Sequence, residues 1–213
     1  RLSDRLEHGD ARPLRGPVGA ALAFHNRLAR FLENHDEPRA AATFAPEVHR
    51  AAAILTFFSP GLRFFHQGQR EGRQVRIPVH LGRGPIEDSD AGIVAFYDGL
   101  LECLKDPAFR DGEWQLLECR PAWDGNQTWN AFVCFSWTGP GDLRRLVAVN
   151  YAGQQGQCYV ATAWPDLDGR VWRLRDMTGP SVYDREGGDL ARQGLYLDLP
   201  AWGYHVFDVS DVK

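Results

Sequence analysis

With 213 residues, 44% of them hydrophobic and 24% charged, the chain can bury one large core or two smaller ones and has the balance of an ordinary globular protein. A net charge of −4 offers no basic surface on which nucleic-acid binding could rest. No apolar run approaches the roughly 18 residues that span a membrane, and the first residues hold no apolar signal core, so a cytoplasmic protein with no membrane partner is expected.

Residues 1–15 are charge-rich, without a sustained period, and read as a loop. Gly16-Pro17 then opens a predicted helix whose Val18, Ala21, Leu22, His25, Leu28 and Ala29 share one face. Next comes Phe31-Leu32-Glu33-Asn34-His35-Asp36-Glu37-Pro38-Arg39. Its apolar end, Arg30 to Leu32, stops abruptly in packed polar side chains, which reads as a buried strand delivering a functional tip in the strand-to-helix loop of an α/β unit. Pro38 and Pro46 frame a connection, and a second helix is predicted from Pro46 through Val48, Ala51, Ala52, Leu55 and Phe58, stopped by Ser59-Pro60-Gly61. Leu62 to Phe65 is a second short apolar run, ending in His66-Gln67-Gly68-Gln69. Strand, helix and strand in that order predict a parallel pair with both polar tips on one side.

Residues 68–88 form a loop rich in Gly and Arg. Asp88-Ser89-Asp90 caps a third predicted helix, whose Ile93, Phe96, Tyr97, Leu100, Leu101 and Leu104 mark a core-facing side and which ends at Lys105-Asp106-Pro107. After Gly112 the pattern alternates. Strands are predicted at 113–118, 130–137, 143–151, 157–163, 171–176, 195–199 and 204–209, separated by turn chemistry such as Trp123-Asp124-Gly125 and Gly139-Pro140-Gly141. That spacing argues an antiparallel sandwich over 112–213, distinct from an α/β part over 1–111. Cys103, Cys119, Cys134 and Cys158 lack C-x-x-C spacing and read as buried free thiols; Asn126-Gln127-Thr128 is read as a chance glycosylation pattern. The histidines are too scattered for a zinc site.

Phe31-Leu32-Glu33-Asn34-His35-Asp36 resembles the F-x-x-N-H-D motif of the α-amylase family of glycoside hydrolases, which lies at the end of the seventh strand of a (β/α)8 barrel. The resemblance implies that Asp36 stabilises the transition state and that His35, with Asn34 beside it, binds the sugar next to the cleaved bond. Ser59 to Gly68 resembles the family's eighth-strand segment, G-x-P-x-x-Y-x-G, and implies a place near the sugar for His66 and Gln67. Here Arg63 stands where that segment has proline, His66 replaces the aromatic, and Glu71 lies further from Gly68 than the family's acidic residue. In the family an all-β domain follows the barrel. The implied fold is therefore α/β plus all-β: the last two strands of the barrel with their helices in 1–111, then the antiparallel β-sandwich in 112–213.

A (β/α)8 barrel closes with eight strands over about 250 residues, and this chain offers two. Its first part is thus expected to be the end of a barrel whose earlier strands lie on a longer chain, or to be covered by another copy or partner. Retaining glycoside hydrolysis needs a nucleophilic carboxylate and a general acid about 5–5.5 Å apart. The family's nucleophile follows G-x-R-x-D on the fourth strand and its acid is a glutamate on the fifth; neither precedes Asp36 here. The resemblance implies the C-terminal portion of a retaining glycosidase or glucosyltransferase acting on α-glucosidic bonds, inactive as an isolated chain. Its partners would be an α-glucan or maltooligosaccharide and the remainder of the barrel; it implies no cofactor, with calcium reserved for a full-length parent. The rival is a non-catalytic carbohydrate-binding or interaction protein on the same scaffold. On local grounds alone, Asp36 would cap the next helix, Asn34 and His35 would satisfy loop backbone groups, and Arg39 would pair with Glu37 or Glu33. Most tryptophans read as core, with Trp123 and Trp164, in turns, as candidate sugar platforms.

Overall fold

The computed structural model describes residues 22–212. The loop expected at 1–15 and the start of the first predicted helix lie outside them. That helix, α1, is described over Leu22–His25 and ends earlier than its apolar spacing suggests, because Leu28 O accepts from Leu62 N at 2.9 Å and draws the backbone into strand pairing. Strand β1 is Ala29–Arg30, α2 is Ala40–Thr43, α3 is Pro46–Phe58 and β2 is Leu62–Arg63. The expected parallel pair is present, with Ala29 opposite Leu62 and Arg30 opposite Arg63. Gly61, at φ +126°, makes the approach possible: a Cβ there would collide with the carbonyls of Leu28 and His25.

Helix α3 starts where proline sits in its first turn and stops at Ser59, as its sequence dictates. Its burial goes further than one apolar face. Every residue from Ala51 to Phe58 is buried, so the helix runs through the core rather than along its surface. Phe57 stacks on Phe65 at 4.1 Å on one side, and on the other Phe58 O accepts from Trp137 Nε1 at 2.9 Å. Helix α4, Ala91–Cys103, is capped by Asp90, whose Oδ1 accepts from Gly92 N at 2.8 Å and Ile93 N at 3.0 Å. A short α5, Ala108–Asp111, leads into the β part.

There, β3 is Glu113–Leu116, β4 Cys119–Arg120, β5 Phe132–Gly139, β6 Leu143–Asn150, β7 Gly156–Val160, β8 Val171–Asp176 and β9 Val182–Glu186; after helix α6, Gly187–Arg192, come β10 Leu195–Leu199 and β11 Tyr204–Asp211. They form an antiparallel six-stranded sheet in the order β3-β5-β6-β11-β8-β9 and a three-stranded sheet β10-β7-β4. The inner strands β5 and β6 are buried on both faces. Phe132 and Cys134 point to a core shared with the smaller sheet, while Val133, Phe135 and Trp137 point to the core around α3 and α4. That second core crosses position 112 without interruption, joining Phe58 and Phe109 to Trp137. The four cysteines are buried thiols, as expected. Asn126 is buried too, its amide donating to Thr128 Oγ1 at 2.9 Å. No described helix is long and apolar enough to cross a membrane.

Candidate functional site

Two loops leave β1 and β2 on the same side and are locked together by a buried carboxylate. Glu33 Oε1 accepts from Arg39 Nη1 at 2.6 Å, and its Oε2 accepts from Ala40 N at 2.7 Å at the start of α2. Arg39 also donates to Gln67 O at 2.8 Å and touches His66 Nδ1, which itself lies 3.3 Å from Glu33 Oε1. Burial pushes the Glu33 carboxyl up, against the opposing pull of the Ala40 N–H, the Arg39 guanidinium and His66. Of the two pairings open to Arg39 from sequence, Glu33 is the one with this short contact.

A second polar chain supports the His66 loop from below. Gln69 Nε2 donates to Tyr97 Oη at 2.8 Å, its Oε1 accepts from His66 N at 3.3 Å, and Tyr97 Oη meets His49 Nε2 at 2.8 Å. Burial, with Arg50 adding to it and Asp90 opposing, pushes the His49 imidazole down to about 4, so its ring is neutral at pH 7. Burial likewise raises the Tyr97 hydroxyl and keeps it protonated.

Above this floor sits the Asn34-His35-Asp36 turn. Asn34 Oδ1 accepts from Asp36 N at 2.8 Å and Glu37 N at 3.0 Å, a turn-forming role that leaves its amide nitrogen as the group open to other contacts. His35 Nε2 lies 3.2 Å from Asp36 Oδ2, with the two side chains 60% and 71% exposed. His35, Arg39, His66 and Gln67 line a cavity of about 400 Å³. Its other wall is the 73–84 segment, bringing in Arg73, Arg76 and Arg83. Of the five residues singled out for chemistry, His35, His66 and Gln67 therefore meet at one cavity; Asn34 and Asp36 stand on the same turn without lining it. Glu71 is also outside it, 3.7 Å from Arg70.

From sequence Glu33 reads only as a candidate partner of Arg39, and Gln69 and the three loop arginines are not singled out. The Gly- and Arg-rich composition of 68–88 was the visible signal for the latter. Trp164 corrects the sugar-platform expectation: it is only 7% exposed, its Nε1 donating to Thr138 Oγ1 at 3.0 Å and the Arg144 guanidinium lying 5.7 Å from its ring centroid. Trp123, at 55% exposure, keeps an open face. Among the described residues no group of three or more His, Cys, Asp or Glu side chains could hold a metal ion.

No protein-family model and no curated protein matches the chain. Solved structures do. An α-amylase from Geobacillus thermoleovorans, complexed with acarbose, aligns with a TM-score of 0.71 at 15% identity over 100% of this chain and 47% of that one. The fold is one found within α-amylases. An Anoxybacillus α-amylase aligns at TM-score 0.67 and 17% identity, over 88% of this chain and 39% of its own, and a maltogenic α-amylase from Thermotoga neapolitana at 0.66 and 15%, over 87% and 41%. The chain thus spans less than half the length of each of these α-amylases, and at such identities the likeness is one of fold.

Proposed function

We propose that this chain is the C-terminal portion of a retaining α-amylase-family glycoside hydrolase or glucosyltransferase acting on α-glucosidic bonds. Residues 1–111 would be the end of its barrel, and 112–213 the all-β sandwich that follows. The observation carrying this reading is that the loops after two parallel strands, 31 residues apart in sequence, converge so that His35 and His66 face one cavity. Convergence of this kind at the carboxyl ends of parallel strands is where barrel enzymes place their chemistry.

In this reading Asp36 is the third carboxylate of the reaction. It accepts hydrogen bonds from sugar hydroxyls that tighten as the ring flattens toward an oxocarbenium ion, an effect of a few kcal/mol. His35, held 3.2 Å from Asp36, donates to a neighbouring hydroxyl, and the Asn34 amide, His66 and Gln67 complete the sugar contacts. Hydrolysis also needs a nucleophile and a general acid, which the rest of the barrel, on the same or another chain, would supply. The 213-residue chain alone binds an α-glucan or maltooligosaccharide without cleaving it.

A second reading, a non-catalytic carbohydrate-binding protein on the same scaffold, is favoured by one observation: no Asp or Glu is among the described residues that line the cavity. The test joins both. Maltoheptaose is titrated into the chain by calorimetry, and reducing sugar is measured in parallel, each against Asp36→Ala. Binding weakened by Asp36→Ala without release of reducing sugar supports the proposal; binding indifferent to it sinks the role of Asp36. Turnover above the variant's would show that the missing carboxylates are not missing. Joining the chain to upstream coding sequence that carries G-x-R-x-D and a later strand-end glutamate should then give Asp36-dependent hydrolysis, whereas the binding-only reading expects none.

A further inference from the structure

The cavity beneath His35 has a charge that a neutral sugar does not call for. Four guanidinium groups, those of Arg39, Arg73, Arg76 and Arg83, and two imidazoles line it, in a protein whose net charge is −4. Arg39 is neutralised by Glu33. The other three have no carboxylate partner among the described residues; the one hydrogen bond of Arg76 there is from Nε to His35 O, at 3.4 Å. Several arginines elsewhere make short ion pairs: Arg70 with Asp98, Arg110 with Asp111, Arg144 with Asp142 and Asp166, Arg145 with Asp106 and Asp208, and Arg173 with Asp184. Arg30, Arg63, Arg120 and Arg185 likewise meet only backbone oxygens or other neutral groups among the described residues, but none of them lines this cavity; what sets Arg73, Arg76 and Arg83 apart is that all three line the same one.

Two of the four are brought together by the backbone. Gly68 takes φ +87°, and the space its Cβ would fill is occupied by Arg39 Nη2 and Arg73 Cδ. Arg73 N also donates to Gly68 O at 3.0 Å, closing the turn that carries its side chain toward Arg39. Recognition of neutral sugar hydroxyls uses carboxylate and amide acceptors with an aromatic face to stack on. The charged side chains among the described residues of this lining are all guanidinium donors, with the Gln67 amide and two imidazoles as the other polar side chains. A cleft lined by one sign of charge concentrates ligands of the opposite sign, and guanidinium forks match the oxygens of a phosphate two at a time.

The geometry points to a phosphate-type dianion as the ligand of this cavity, held by Arg73, Arg76 and Arg83 beside the Asp36–His35 turn. Its source is either a phosphate ester on the sugar or free inorganic phosphate. The first source rests on the proposed sugar contacts; the anion site itself does not.

The 213-residue chain is titrated by calorimetry with glucose, glucose 6-phosphate and inorganic phosphate, at low and high salt. The variant is Arg76→Gln/Arg83→Gln, chosen because both side chains are exposed and their loss leaves the core intact. Glucose 6-phosphate should bind about tenfold more tightly than glucose, with the advantage lost in the variant and in high salt. If inorganic phosphate binds as tightly as the ester, the anion site stands and the sugar contact fails. Binding of glucose as tight as that of its phosphate, or affinity unchanged in the variant, overturns the anion site and leaves the sugar reading standing. No binding of either phosphate overturns it as well.

Discussion

Arg39 Nη1 stands 2.6 Å from Glu33 Oε1, with the two side chains 4% and 1% exposed. The pair ties the end of one strand to the loop of the next, because Arg39 also holds Gln67 O. Removing one member of a buried pair leaves the other charge uncompensated. Glu33→Gln should therefore destabilise the fold by about 3–5 kcal/mol, and Glu33→Gln/Arg39→Met should recover much of that loss. Urea unfolding at unchanged m-value measures both; equal stability of wild type and Glu33→Gln would show that the pair contributes nothing.

His49 makes stability depend on pH. Its imidazole is pushed down to about 4 by burial, whereas in the unfolded chain it titrates near the ordinary value of about 6.5. The folded state thus refuses a proton that the unfolded state accepts. Its contribution is complete above about 6.5 and declines as pH falls toward about 4, by roughly 3 kcal/mol in all. His49→Gln should remove that part of the slope in denaturation curves taken between these limits, and an unchanged slope would assign the pH dependence to other groups.

Asp36 and His35 are exposed and pair at 3.2 Å, so their mutual attraction is screened. Asp36→Ala, His35→Ala and the double variant should each lie within about 0.5 kcal/mol of wild type, with little coupling between them. Thermal unfolding in a common buffer tests this. A large loss would give the acid a structural role and disqualify Asp36→Ala as a functional control.

Gly68→Ala should be costly for two separate reasons, the left-handed φ of +87° and the arginine side chains already in the Cβ space. A loss of about 1–3 kcal/mol is expected from the backbone alone. Calorimetric titration of the variant with inorganic phosphate should also show weaker binding, because Arg73 must shift. A variant as stable as wild type would mean that this turn relaxes freely.

Local signals were legible wherever the chemistry was local. Proline in the first turn of α3, the Asp90 cap of α4 and the alternation of β8 each depend on residues within a few positions of one another. Strand β4, two residues long, has no period to read, and β9, Val-Tyr-Asp-Arg-Glu, is an edge strand held partly by Arg173 and Asp184 across the sheet. Helix α6 opens on two glycines, a poor helix signal; at Gly187 the carbonyl of Leu167 occupies the Cβ space. At the site, the exposed polar tips were readable but their support was not. Nothing near Gln69 in sequence says that its amide will be buried against Tyr97, 28 residues away, and nothing near Glu33 says that it rather than Asp36 will be the buried acid.

The bond from Trp137 Nε1 to Phe58 O spans 79 residues and sits in a core that runs from helix to sheet. A peptide break near Gly112 would therefore expose apolar surface on both pieces, which would hold each other by the same contacts. Separately expressed halves should be insoluble or molten alone and should reassociate on mixing, as complementing fragments do.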